Sequence, residues 1–278
     1  MAMSEFEALH RVLKESLYLG GEVVDVGEWQ SIRGDIPQSR TIELQDINFR
    51  IQIPDSIASL QMAVKPTLPW AEDHFLERVS GEPLNPPPSA SYWNRNQDAV
   101  DVHRTVKEAV GYKQYEMKYS HTYPERFWPK SAGTVQYTEH PYHHKGIRFL
   151  YGDLNDVVSL LAKSPLTRQA YLPVWFPEDT GAVHGERVPC TLGYHFLLRG
   201  GRLHVYYFIR SCDFLRHFRN DVYLAARLCQ WMINAVYRAY QRKDALAHPN
   251  FVDVRPGNLI MQISSLHVFE AERKRLET

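Results

Sequence analysis

The side chain in this sequence best suited to covalent chemistry is Cys190, in the segment RVPCTLGYHF. A thiolate attacks polarised carbon readily, whereas a cysteine in apolar surroundings is simply a small hydrophobe, so its neighbours must decide between the two. Twenty positions on stand Arg210, Ser211, Cys212 and Asp213, and thirty-one positions on stands Asp221. Arg210 supplies a cation that favours a thiolate. Asp221 offers a carboxyl for proton exchange or, if it opens a helix, a cap for backbone N–H groups. His140, His143 and His144, in EHPYHHKG, lack the regular spacing that puts ligands on one helix face; they read as surface histidines, and no metal is expected.

These residues need elements to hold them. Leu9, Val12, Leu13 and Leu17 recur at helical spacing before Gly20-Gly21, which predicts an N-terminal surface helix with strands after it. WAEDHFLERVSGEPL has helical character closed by Gly81, while the stretch from Ser89 to Lys145 is weakly periodic and reads as long ordered loops. DLNDVVSLLAKSP reads as a helix and YLPVWF as a strand, and YHFLLRGGRLHVYYFIRS as a hairpin about Arg-Gly-Gly. Val222, Ala225, Leu228, Cys229, Met232, Ile233, Val236 and Tyr240 describe a long buried helix that Asp221 would open. Helices mixed with antiparallel strands predict an α+β fold, in one domain spanning residues 1–278.

Composition narrows the function classes. The 278 residues carry 32 basic and 32 acidic side chains, so no overall field recruits nucleic acid or an anionic membrane. Three cysteines without close metal-type spacing predict reduced thiols, and the charged amphipathic N-terminus lacks the apolar run of a signal peptide. A cytoplasmic protein, neither exported nor embedded in a membrane, is expected.

The segments PLTRQAYLPVWFPED, RVPCTLGYHF and RSCD, with Asp221 beyond them, resemble the thymidylate synthase superfamily from about Asp153 to Phe269. That family joins a Pro-Cys nucleophile to an Arg-Ser-x-Asp strand and a base-reading residue. The resemblance implies a thymidylate synthase-like fold, with a mixed or antiparallel sheet and a buried central helix, and a homodimer that binds a pyrimidine nucleoside monophosphate. It implies that Cys190 adds to C6 of the pyrimidine and turns C5 into an enamine-like nucleophile. It assigns the phosphate to Arg210 and Ser211 of one subunit and to Arg168 of its partner; Gln169 stands where a second arginine is frequent. WAEDHFLERVSG resembles the segment carrying the family's acid–base glutamate, which nominates Glu72 ahead of Asp73 and Glu77. YPERFW nominates Tyr123 for removal of the C5 proton through water. Asp213 and His195 fall where a polar network backs the base. His267, in SSLHVFEAE, would hold the sugar 3′-hydroxyl, although Phe269 replaces a tyrosine there.

At the position of Asp221 the thymidylate-forming branch carries asparagine, whose amide complements uracil. Cytosine presents an acceptor at N3 and a donor at its 4-amino group, so a carboxyl sharing one proton with N3 complements it instead. A one-residue shift would put Asn220 in that place and restore uracil. The sequence is most similar to the cytidylate hydroxymethylases, which take a one-carbon unit from 5,10-methylenetetrahydrofolate and let water quench the methylene; either ribose or deoxyribose is admissible. The chain stops nine residues after Phe269, which predicts less closure over the site and more water. The alternatives are a C5-methylating or hydroxymethylating enzyme acting on dUMP or UMP, and a non-catalytic nucleotide-binding relative.

Overall fold

Six strands form one mixed sheet in the order β1-β2-β6-β5-β4-β3. The structure, a computed structural model, describes residues 4–26, 40–90, 121–130, 152–180, 188–241 and 253–277. The strands are β1 (Glu22–Asp25), β2 (Arg40–Gln52), β3 (Tyr171–Pro173), β4 (Thr191–Arg199), β5 (Arg202–Asp213) and β6 (Arg255–Phe269). Only the β5–β6 pair is parallel; the other neighbours are antiparallel. The described helices are α1 (Glu5–Gly20), α2 (Ile57–Val64), α3 (Trp70–Arg78), α4 (Tyr123–Phe127), α5 (Leu154–Lys163), α6 (Pro177–Thr180) and α7 (Phe218–Gln241). The chain is therefore α+β.

The hairpin expected about Arg-Gly-Gly is β4–β5. Gly200 and Gly201 both have positive φ, 55° and 70°, the pair of values a two-residue primed turn requires. Alternation along β5 buries Leu203, Val205, Tyr207 and Ile209, while His204, Tyr206 and Phe208 lie half-buried on the other face. Against the buried face lies α7, whose residues Val222, Ala225, Leu228, Cys229, Met232 and Val236 are all in the core. Helices α2, α3 and α5 pack on α7 from its other side. Burial on both sides explains why Tyr223, Leu224 and Ala226 are inside as well, so α7 has no fully polar face in its first half.

Three boundaries differ from the sequence pattern. Helix α7 starts at Phe218, three residues before Asp221, because His217 already accepts the Asp221 N–H at 2.8 Å. Only Tyr171–Pro173 of YLPVWF pairs as a strand; the Val174 and Trp175 amides both turn onto the Leu192 carbonyl and the chain leaves the sheet. Within the aromatic loop stretch, α4 forms a short helix, since Thr122 and Glu125 close a reciprocal capping box around its start. Val12, expected on the inner face of α1, is exposed, and Phe6 fills that face with Leu13 and Leu17.

Candidate active site

Cys190 lies at the mouth of β4, half-buried and reduced. Its position is set by Arg210 on the neighbouring strand. The Arg210 amide donates to the Cys190 carbonyl at 2.9 Å, its Nε to Pro189 O at 2.9 Å and a terminal nitrogen to Val188 O at 3.2 Å. The guanidinium also lies 5.5 Å from the centre of the Trp175 ring. A single arginine thus clamps the backbone that presents the thiol. Ser211 follows on β5, half-buried, opposite Ser265 of β6.

Tyr123 is brought to the same place by a separate set of bonds. It is the first residue of α4, which is fixed to α6 by a buried two-pronged pair, Arg126 to Asp179 at 2.8 and 2.9 Å, and to the end of α3 by Trp128 Nε1 donating to Arg78 O. The Tyr123 hydroxyl accepts from Thr191 Oγ1 at 3.2 Å, and Thr191 is 2.9 Å from the Tyr207 hydroxyl. Thr191 has one proton to give, so Tyr207 donates to Thr191, Thr191 donates to Tyr123, and the Tyr123 proton is left to point onward. Burial pushes the Tyr123 phenol above the usual range; negative charge on Cys190 or Asp221 would raise it further, and Arg78 opposes both. Tyr123 thus lies within the fields of Cys190, Asp221 and Arg78.

Asp221 keeps some accessible surface although protein surrounds it closely. Burial raises its carboxyl to about 6, with Asp213 adding to the rise, while Arg78 and a hydrogen bond from Cys212 pull it down. Cys212 Sγ donates to Oδ2 at 3.4 Å. Cys212 itself is held far from ionisation by burial and by the Asp221 charge, so it remains a donor thiol. The Asp221 carboxyl is turned to the sheet and does not cap α7. Asn220 is committed elsewhere: its Oδ1 accepts from Thr67 N at 2.9 Å and its Nδ2 donates to Thr67 Oγ1 and Arg216 O, holding the loop before α3 on α7.

The site does not gather every expected residue. Glu72 accepts from the Tyr223 hydroxyl at 2.5 Å and from Arg227 at 3.0 Å. At about 100° per residue, Tyr223 and Arg227 lie roughly 200° and 240° around α7 from Asp221, so Glu72 braces α3 against the far side of that helix. Asp73 is exposed. Glu77, the other carboxylate of this segment, accepts from the Ser89 amide at 2.6 Å and from the Ser89 hydroxyl, next to His74. Burial acts to raise Glu77, but the bonds from His74 and Ser89 outweigh it and hold the carboxyl low. His195 is half-buried on the face of the sheet away from α7, its Nε2 3.0 Å from the Arg168 carbonyl and its ring between those of Tyr171 and Tyr206. Strand alternation put it there, since Tyr194 and Phe196 take the buried side. It therefore cannot belong to the network around Asp213.

Asp213 is buried and binds the Leu215 and Arg216 amides and the Arg216 guanidinium, which turns the chain from β5 into α7. His267 is opposite Asp213 in the β5–β6 pairing; it is buried, which pushes its imidazole below the usual range, and Phe269 meets it edge-on at 6.2 Å. Arg168 is exposed in the turn before β3. Sequence reasoning missed Arg78, His74 and Thr191. A faint signal existed, since His74 and Arg78 are four apart and share one side of α3. Among the described residues no group of three or more His, Cys, Asp or Glu is placed to hold a metal ion, and His140, His143 and His144 lie outside them.

A cysteine, a carboxyl raised to about 6 and a buried cation therefore all act on one phenol, Tyr123, that ends a chain of hydroxyls. That set can add a thiolate to a polarised ring while exchanging one proton with it. No protein-family model matches this chain, and no curated protein matches it either.

Proposed function

We propose that this protein is a cytidylate 5-hydroxymethyltransferase of thymidylate synthase type, acting on CMP or dCMP as a homodimer. The observation that carries this reading is that Tyr123, bonded to Thr191 next to Cys190, also lies in the field of Asp221, with Asp221 turned to Cys212 and Asn220 tied to Thr67. The one-carbon unit would come from 5,10-methylenetetrahydrofolate. That donor enters through the sequence resemblance alone: the nearest aromatic plane, Tyr123, has a face taken by Arg78, and no described side chain is assigned to a pteridine.

In this reading the Cys190 thiolate forms the Sγ–C6 bond, the displaced electron pair makes C5 nucleophilic, and N3 takes the Asp221 proton. Tyr123 receives or relays the C5 proton through water, in line with its outward-pointing hydroxyl. C5 bonds to the methylene of the donor, and loss of the C5 proton releases tetrahydrofolate and leaves an exocyclic methylene on the ring. Water adds to that carbon, the electron pair returned to the ring re-forms the C5–C6 double bond and expels the Cys190 thiolate, and N3 returns its proton to Asp221. Arg210 and Ser211 would face the phosphate. The donation of Arg168 across a dimer is supported by its exposure and by the half-buried aromatic residues of the sheet face beside it, Tyr206 and Phe208.

Incubation of the protein with 5,10-methylenetetrahydrofolate and each of CMP, dCMP, UMP and dUMP, read by product mass, tests the proposal. A gain of CH2O on a cytidylate is expected, lost in Cys190→Ser. A gain of CH2 with dihydrofolate formation would replace it by a methylating enzyme, and CH2O on a uridylate would reassign the base. Absence of any product and of C5-hydrogen exchange would leave only a binding protein.

A further inference from the structure

Arg78 has an environment unusual for a charged residue. It is 5% exposed, and among the described residues no carboxylate forms an ion pair with it and its Nε has no hydrogen-bond partner. Its terminal nitrogen lies 2.9 Å from His74 Nε2, and its guanidinium carbon sits 3.9 Å from the centre of the Tyr123 ring. Arginine donates and never accepts, so His74 Nε2 is the acceptor and its proton is on Nδ1, 2.9 Å from Ser89 Oγ. Ser89 in turn donates to Glu77. His74 is thereby held neutral, its imidazole depressed to about 4 by burial first and by Arg78 second. The chain Arg78–His74–Ser89–Glu77, with Trp70 stacked on His74 at 5.0 Å, fixes the guanidinium without neutralising it.

A buried, unneutralised cation is costly, and a site where negative charge arises is where such a cost is retained. We infer that Arg78 is a positioning residue of the site, the fixed cation that seats the Tyr123 phenol and counterbalances the Asp221 carboxyl. The role rests on the proposed cytidylate reading for its consequence in turnover, but not for its effect on Asp221. Among the described residues, the groups acting on Asp221 are Arg78 from α3 and Cys212 and Asp213 from β5. Tyr123, Tyr194 and Tyr207, in turn, feel its charge. Of these, only Arg78 is positive.

The test is a pH titration of the Asp221 carboxyl by carbon NMR in the full-length protein without ligand, assigned with Asp221→Asn, and repeated in Arg78→Gln and Arg78→Lys. The expected midpoint in Arg78→Gln is at least half a unit higher, about a threefold tighter proton. Arg78→Lys keeps the charge but has no plane to stack on Tyr123, so its C5-hydrogen exchange with CMP should slow at least tenfold while its midpoint stays within a few tenths. An unmoved midpoint in Arg78→Gln, or wild-type exchange in Arg78→Lys, overturns the inference; Arg78→Lys decides alone if Arg78→Gln does not fold. A purely structural role would lower Tm in both variants without moving the midpoint. If the wild-type protein exchanges no C5 hydrogen, the cytidylate reading fails, and the titration still judges Arg78.

Discussion

Asp221 and Asn220 are adjacent in the chain, similar in size and opposite in duty, and the difference is one of direction. One faces Cys212, while the other faces Thr67 and closes a structural tie. Under the cytidylate reading, Asp221→Asn should lose preference for cytosine and gain binding or activity toward uracil nucleotides, because a mismatched buried pair costs about 1–3 kcal/mol. Specificity ratios for CMP against UMP, and dCMP against dUMP, measure it; an unchanged ratio removes the reason for choosing cytidylate. The same variant has a consequence that needs no substrate. Burial raises Asp221 from the usual carboxylate range to about 6, so folding favours its neutral form and stability falls as pH rises through that window. Asp221→Asn should therefore unfold at a higher Tm than wild type at pH 8 and at about the same Tm below pH 4, on the order of 2–3 kcal/mol apart at the upper end. Equal Tm differences at both pH values would contradict the buried-carboxyl account.

At the scale of elements, the site is assembled from α3, α4, the start of β4 and the start of α7, none of which are neighbours in sequence except through long connections. The ties that bring them together are few and specific: Arg126 to Asp179, Trp128 to Arg78 O, and Asn220 to Thr67. Asn220→Ala would remove the bonds that hold the Thr67 amide and hydroxyl; Thr67 is exposed and water replaces part of them, so the loss is about 0.5–1.5 kcal/mol. The expected result in thermal or denaturant unfolding is a destabilised protein whose base preference is unaltered. A changed CMP to UMP ratio with normal stability would instead make Asn220 the base reader. Glu72 belongs to this scale as well, since its bonds to Tyr223 and Arg227 hold two helices together. Glu77 is joined to Arg78 through Ser89 and His74.

For the whole molecule the sheet is the main organiser. One face carries α7 and the site; the other presents His195, Tyr206 and Phe208, half-buried, with Tyr171 exposed beside them. Arg168 stands at that side, bound through its carbonyl to His195. If two subunits share their phosphate sites, Arg168→Ala and Cys190→Ser chains, each inactive alone, should recover up to about a quarter of wild-type activity when mixed and allowed to exchange, as one intact site forms in each hybrid. Hybrids that sediment as dimers yet show no activity would count against sharing. No described helix is long and apolar enough to cross a membrane.

Local pattern alone determined the α+β class, α5, the β4–β5 hairpin and most of α7, because periodicity and glycine placement are properties of neighbouring residues. The choice of Cys190, Arg210 and Asp221 rested instead on a resemblance between segments far apart in the chain. What local pattern could not determine was direction. Whether Asp221 caps a helix or turns to the sheet depends on where α7 begins, and that is settled by the His217 carbonyl four residues earlier. Which glutamate of WAEDHFLERVSG faces the site depends on how α3 is rotated against α7, a matter of packing between segments about 150 residues apart in the chain. His195 went to the far side of the sheet through one step of strand alternation. Arg78 was invisible for the same reason. A helical arginine reads as a solvated charge until tertiary structure buries it under an aromatic ring, and only the fold, by closing α4 over α3, made it the central cation of the site.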